Sequence, residues 1–390
     1  VGPKVIQTNI PWASGGSAAV TQAIDLSLPI RGVRLVFKGR VVVGTAAFTT
    51  VNPEGLLNLI SNFTIQGTNA RQQGNLTLWN IDLATAFVIQ NMFAYRGAAF
   101  MTTSVTGAGG DTINPIPSTP FPSGAVASNP YFQGSIATTD FRIEIDFPFH
   151  PHSNNTFGAE PLTIPQYLVR NEEWKDSLQM LFTFGAQAGA GATGALGVSA
   201  ATTTVTFSGF NGVGATPTID LYSLPVMMGL NLKDQILPGV YSRVSTPITS
   251  SLLTAAGSGV VLLNQQKQPT PRVFFKQGTG TVFPAFASLS DYNVTTLGVL
   301  LGGNRNVRNN VDIMAHKMIY PDVYHRDPIQ GYLHMDFIEQ GNPDAAYPGQ
   351  DVGDGATLQV VGTVTGVANA FGLSVQEQIL HQPSGALMDF

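Results

Sequence analysis

Phe141-Arg142-Ile143-Glu144-Ile145-Asp146-Phe147-Pro148-Phe149 alternates without a break. Every odd position is apolar, and the even positions carry Arg142, Glu144, Asp146 and Pro148. A period of two is the mark of a β-strand with one buried and one wet face. Pro148 cannot donate to a ladder, so the strand ends there or lies on an edge. A similar phrase returns as Gly331-Tyr-Leu-His-Met-Asp-Phe337.

These two stretches anchor an internal repeat. Ile65-Gln-Gly-Thr-Asn-Ala-Arg71 resembles the later Leu301–Arg308, and Leu178-Gln-Met180 resembles Leu358-Gln-Val360. Three similarities in one order favour a single β-module used twice over chance likeness of short strands. Arg71 to Asp146 is a much longer interval than Arg308 to Asp336, so the first copy carries the larger insertions.

Between the anchors, Arg31–Val43 turns Val33, Leu35, Phe37, Val41 and Val43 to one face. Arg34, Lys38 and Arg40 take the other. Such a strand is long for an ordinary domain and suits a tall barrel. Strands are also expected at Val20–Leu28, Leu57–Gln66, Leu76–Trp79, Leu178–Phe184, Thr203–Phe207 and Ile219–Val226. In the second half they fall at Ser258–Asn264, Arg272–Gln277, Val294–Gly302, Thr357–Thr365 and Leu373–Ile379. Asp82–Tyr95 has helical periodicity with Asn80 or Asp82 as cap, and Val311–Ile319 reads as a short helix. Gly97–Asn129, rich in Gly, Pro, Ser and Thr, reads as a long surface loop, and the Gly/Ala run Gly185–Gly197 as a flexible one.

The division that follows is an N-terminal arm over 1–17, a first jelly roll with long insertions over 18–230, a linker over 231–238 and a second jelly roll over 239–390. The fold class is all-β, a double jelly roll with short helices in loops. With many strands per half, a jelly roll fits better than an immunoglobulin-like sandwich.

Composition narrows the function. Hydrophobic residues make up 43% of the 390, enough for a sizeable core, while charged residues make up only 11%, against a usual ~25%. Two explanations stand: Thr, Ser, Asn and Gly cover the wet faces of β-proteins, or much of the outer surface meets other subunits. The net charge is −5, with cations scattered singly. No basic stripe is present to neutralise phosphates, so direct nucleic-acid binding is not expected. Without cysteine there is no disulfide framework. No run reaches the ~18 apolar residues of a membrane-spanning helix, and no signal peptide is evident. The start at Val1 is read as a trimmed or incomplete terminus.

Several groupings were weighed for chemistry. His150 and His152, at i and i+2 on an extended chain, could share a metal, as in a bicupin. The Glu such a site needs is not among Ser153–Thr156, Glu160 is too distant, and His316, His325, His334 and His381 stand alone in the second half. Asp146 and Asp336 could pair for glycoside hydrolysis, against a solvated strand face or a cross-sheet salt bridge. Glu172-Glu173 beside Trp174 and Lys175 could form a sugar platform, against an ordinary loop anchored by one Trp. Asn62, Asn75, Asn154 and Asn293 open Asn-x-Thr sequons, read as unmodified in the absence of a secretory signal. No catalytic, cofactor-binding or metal residue is assigned.

Pro29-Ile-Arg-Gly-Val-Arg-Leu-Val-Phe37, Pro53-Glu-Gly55 with Leu57–Gln66 after it, the Gly303-Asn304 turn with Arg308, and Gly331–Phe337 give the chain a likeness. From Val20 to about Ile379 it resembles the double jelly-roll major capsid proteins of tailless icosahedral bacterial viruses, the tectivirus-like lineage. The resemblance implies a homotrimer of pseudo-hexagonal outline that tiles an icosahedral shell over an internal membrane. It implies minor capsid or vertex proteins as partners, assembly in the host cytoplasm and a place in the virion. Such a protein is not an enzyme and needs no cofactor. The alternative is a carbohydrate-binding protein or a metal-dependent bicupin-like enzyme on two jelly rolls.

Overall fold

The computed structural model describes residues 2–23, 29–69, 74–93, 99–106, 112–114, 131–149, 174–187, 189–225, 240–245, 252–253, 257–262, 272–280, 285–301, 305–318, 329–336 and 358–381. The first half holds β1 (Lys4–Pro11), β2 (Ser17–Ala23), β3 (Ile30–Gly44), β4 (Phe48–Val51), β5 (Ile60–Asn69) and β6 (Gly74–Ile81). Helix α1 (Leu83–Phe93) follows, then β7 (Ala99–Thr106), β8 (Thr112–Asn114), β9 (Ala137–Pro148), β10 (Trp174–Phe184), β11 (Gly197–Ser199), β12 (Thr204–Ser208) and β13 (Thr218–Pro225). The second half holds β14 (Val240–Ser245), β15 (Leu252–Leu253), β16 (Gly257–Leu262), β17 (Arg272–Thr279), β18 (Ser288–Leu289), β19 (Val294–Leu301) and β20 (Arg305–Asp312). Helix α2 (Ile313–Lys317), β21 (Tyr332–Asp336), β22 (Leu358–Val364) and β23 (Ala370–His381) complete it.

Strand pairing shows the repeat directly. In the first half β1-β13-β3-β9 lie side by side in one sheet, and β2-β10-β5-β6 in another. In the second half β14-β23-β17-β21 and β16-β22-β19-β20 pair in the same two orders. Taken along the chain, β1, β2, β3, β5, β6, β9, β10 and β13 match β14, β16, β17, β19, β20, β21, β22 and β23 one for one. Each half is therefore an eight-stranded jelly roll, with β4, β7, β8, β11, β12, β15 and β18 as additions. Two of the three sequence likenesses fall on equivalent strands, β9 with β21 and β10 with β22; the other sets Ile65–Asn69 of β5 against Leu301, the last residue of β19, and Arg305–Arg308 of β20.

β3 and β9 form the centre of the first unit, paired from Gly32–Pro148 to Val43–Ala137. Their odd residues are buried and pack on the facing sheet. Phe147 lies 4.7 Å from the Phe63 ring and 5.1 Å from that of Trp79, both edge-on, and Phe63 stacks on Phe182 at 4.8 Å. Trp12, just after β1, closes one end against Phe207 and donates its indole N–H to the Leu59 carbonyl at 2.8 Å.

Some expectations change. The segment read as an arm contains β1, an edge strand antiparallel to β13. Register shifts on both sides of Gln7 and a positive φ at Asn9 break its alternation, which is why no apolar period develops. The stretch Gly97–Asn129 is not wholly a loop: β7 runs the length of β9 from Ala99–Ile145 to Thr106–Thr138, and β8 pairs with β7. Buried Thr103 takes an inward place between Met101 and Val105, so the strand lacks a clean apolar stripe. The expected strand at Leu57 begins at Ile60, preceded by a 3-10 turn over Gly55–Leu59. Across Gly185–Gly197 the described residues are held by hydrogen bonds. Ala195 N–H donates to the Ala186 carbonyl (2.8 Å), Leu196 N–H to Gln187 Oε1 (2.8 Å), and Asn52 Nδ2 to the Gly194 and Ala195 carbonyls. The linker expected over 231–238 lies outside the described residues.

Candidate functional site

The two units share an edge and a buried ionic cluster. At the edge, β14 of the second unit runs parallel to β6 of the first, pairing Val244 with Trp79 and Ser245 with Asn80. A single 10-stranded sheet thus crosses from one jelly roll into the other. Buried apolar residues are continuous across the junction too: Phe274, Phe286, Leu289, Tyr332 and Phe371 belong to the same cluster as the first unit's core.

Four polar side chains meet within this apolar surround. Glu54 comes from the Pro53-Glu54-Gly55 turn, which requires Gly55 at φ +51; a Cβ there would sit 2.9 Å from the Tyr131 carbonyl oxygen. Asp82 is the residue before α1 and caps it, its Oδ2 accepting from Thr85 N–H at 3.0 Å and Thr85 Oγ1 at 2.9 Å. Lys276 comes from β17 and Tyr332 from β21, both in the second unit. Lys276 Nζ lies 2.5 Å from Glu54 Oε1 and 3.3 Å from Asp82 Oδ2, with Lys276 and Glu54 fully buried. Tyr332 donates its hydroxyl to Glu54 Oε1. The ammonium also sits 4.7 Å from the Phe286 ring centroid and 5.8 Å from that of Tyr332. Two carboxyls face one ammonium, so the full ionic set would leave one negative charge in excess. Burial pushes the Glu54 carboxyl above its usual range, Lys276 opposing and Asp82 adding to the shift. Burial and both carboxyls likewise push the Tyr332 hydroxyl well up. Glu54 Oε2 is buried with no hydrogen-bond partner.

A second brace lies at the start of β21. Lys317, at the end of α2, donates to Asp291 Oδ1 at 2.5 Å and to the Ile329 carbonyl at 2.7 Å. Asp291 Oδ1 accepts Gly331 N–H at 2.8 Å. Burial lowers the Lys317 ammonium, and Asp291 offsets part of that. Asp312 caps α2 by accepting from Met314 N–H at 2.7 Å.

The outer face of the β13-β3-β9 strands carries an ionic ladder. Arg34 holds Asp146 by two hydrogen bonds, 2.6 and 2.9 Å, and Arg40 holds Asp140 by two, 2.9 and 2.7 Å. Lys38 reaches Asp220 at 2.6 Å. The cross-sheet salt bridge weighed for Asp146 is thus present. Asp146 and Asp336 lie on strands of different sheets, each beside a cation-bearing register partner, Arg34 or Arg272. Asp146 therefore offers a neutralised pair rather than a free nucleophile or acid.

The other candidates are scattered. His150, His152, Ser153–Thr156, Asn154, Glu160, Glu172, Glu173 and His325 lie outside the described residues. Trp174 and Lys175 begin β10, opposite Asn69 and Thr68. His316 Nε2 is 2.8 Å from the Leu297 carbonyl, His334 is buried in β21, and His381 ends β23. Of the sequons, Asn293 is buried, which leaves no room for a glycan there. Among the described residues no three His, Asp or Glu side chains gather as a metal set. Sequence reasoning missed Glu54, Lys276 and Tyr332 as a group. Glu54 read as a turn residue, and nothing local marks Lys276 as inward-facing.

No protein-family model matches the chain, and no curated protein matches it either. Solved structures do. The major capsid protein of bacteriophage PM2 superposes with a TM-score of 0.51 at 9% identity, covering 98% of each chain. The STIV major capsid protein gives 0.56 at 14% identity, covering 98% of this chain and 97% of the other. That of Faustovirus gives 0.54 at 10% identity, covering 98% and 90%. The fold is that of the double jelly-roll major capsid proteins.

Proposed function

We propose that this chain is a viral major capsid protein whose action is assembly. The observation that carries the reading is the collinear eight-on-eight strand correspondence, joined through one continuous sheet and matched end to end by capsid proteins of the same fold. The chain forms a homotrimer, and trimers tile an icosahedral shell over an internal membrane, with minor capsid or vertex proteins completing it. Closed symmetry lets each contact repeat, so modest interfaces sum to a stable shell. The low charge content suits a surface largely covered by neighbours. The boundary between units falls between Pro225 and Val240. Its likenesses reach the major capsid proteins of a bacteriophage and of two other viruses, so the bacterial host comes from the sequence resemblance and not from the fold.

Light scattering on purified protein tests the reading. A mass of three times 41.3 kDa, about 124 kDa, is expected, with hexagonal outlines in electron micrographs. A monomer at every concentration overturns it.

A further inference from the structure

We infer that Lys276 and Asp82 are joined by an intramolecular amide bond, formed without an enzyme once the two jelly rolls have packed. The geometry holds every part the condensation needs. Lys276 Nζ, the nucleophile, donates to Asp82 Oδ2 at 3.3 Å, which holds it beside the carboxyl group whose carbon it attacks. Thr85 N–H and Thr85 Oγ1 both donate to that same oxygen, at 3.0 and 2.9 Å. They are therefore placed to stabilise the negative charge it takes on in a tetrahedral intermediate. Glu54 Oε1 touches Nζ at 2.5 Å and can move protons at it.

The site also explains its own strain. The cluster has one carboxyl more than it has cations, and Glu54 Oε2 has no partner. Burial pushes the Glu54 carboxyl up, toward the protonated form that a proton donor needs. Glu54 is not the acyl partner, because its free Oε2 has no donors to hold an oxyanion.

The step balances without a co-reactant. A proton passes from the Lys276 ammonium to the Asp82 carboxylate, leaving a neutral amine and a carboxylic acid. The Nζ lone pair attacks Cγ of Asp82, and the C–N bond forms as the carbonyl electrons move to Oδ2. Glu54 gives its proton to Oδ1 and takes one from Nζ in return. The Cγ–Oδ1 bond breaks and Oδ1 leaves as water. Oδ2 becomes the amide oxygen and keeps its bonds to Thr85, so the cap of α1 survives. The product removes an ion pair from an apolar site where charges are costly. It also ties a residue of the first jelly roll to one 194 positions away in the second, in a chain with no cysteine.

The test is the intact mass of the full chain, purified and denatured. The expected value is the sequence mass less one water, with a branched peptide joining the Asp82 and Lys276 segments after digestion. Lys276→Arg should restore the full mass. Asp82→Asn should form the same amide by losing ammonia, so its mass should equal that of the linked parent. Glu54→Gln should slow linkage after refolding. A parent chain at full sequence mass, or a branch at Glu54 instead of Asp82, overturns the inference.

Discussion

Neighbouring residues Asp146 and Phe147 face opposite sides of β9, so replacing each with Ala measures the two faces separately. Phe147 is fully buried, with the rings of Phe63 and Trp79 edge-on at 4.7 and 5.1 Å. Truncating a buried Phe costs about 3–5 kcal/mol, and each aromatic pair accounts for about 0.5–1.5 kcal/mol of such a loss. Two pairs place Phe147→Ala in the upper half of that range. Asp146 is held by Arg34 in a forked pair, but the side chains are 18% and 34% exposed. Solvent screening reduces such a pair to about 1 kcal/mol or less. All three tryptophans, Trp12, Trp79 and Trp174, lie in the first unit. Urea unfolding followed by tryptophan fluorescence therefore reads the unit that holds Phe147 and Asp146. The expected result is a large fall in midpoint for Phe147→Ala and a small one for Asp146→Ala. Equal losses, or a Phe147→Ala cost under about 1 kcal/mol, would refute the assignment of the odd face to the core.

Lys276→Met should destabilise the junction by about 3–5 kcal/mol, because it leaves Glu54 and Asp82 buried with neither the charge nor the bond that Lys276 supplies; differential scanning calorimetry reads it, and an unchanged profile counts against the cluster. Burial, with Arg272 adding, holds the His334 imidazole well below its usual 6.5. The unfolded chain then takes the proton first, so the stability contributed by neutral His334 is present above pH 6.5 and declines as pH falls. Acid titration by circular dichroism should show that loss, and His334→Leu should flatten it. Gly55→Ala should cost at least about 1 kcal/mol, since φ is +51 and the new Cβ meets the Tyr131 carbonyl oxygen at 2.9 Å; a neutral effect in thermal unfolding would show that the turn relaxes freely.

The sequence displayed the strands that are buried on one side only. In β3 and β9 a two-residue period separates Phe and Ile from Arg, Glu and Asp, and Asp82 marked the start of α1 as its cap. Signals failed where a different constraint ruled. β1 has bulges beside Gln7, so its side chains lose phase with the sheet. β7 uses Thr103 as a core residue, so its inward face reads polar. The Gly185–Gly197 turn looks featureless because side chains from elsewhere, Asn52 among them, bind its backbone.

The junction was hidden for a stronger reason. Val244 and Ser245 pair with Trp79 and Asn80 over only two positions, too short a ladder to fix how two barrels meet. Apolar contact is non-directional and adds no register. Directional information comes from Glu54, Asp82, Lys276 and Tyr332, four single residues on four separate elements. Lys276 sits in Arg272-Val-Phe-Phe-Lys-Gln277, where alternation cannot say whether it faces water or a partner unit. Its burial is intelligible only once Glu54 and Asp82 are known to lie opposite. A residue whose environment is supplied from 194 positions away leaves no local trace, and such residues are what make the two copies of the fold a single body.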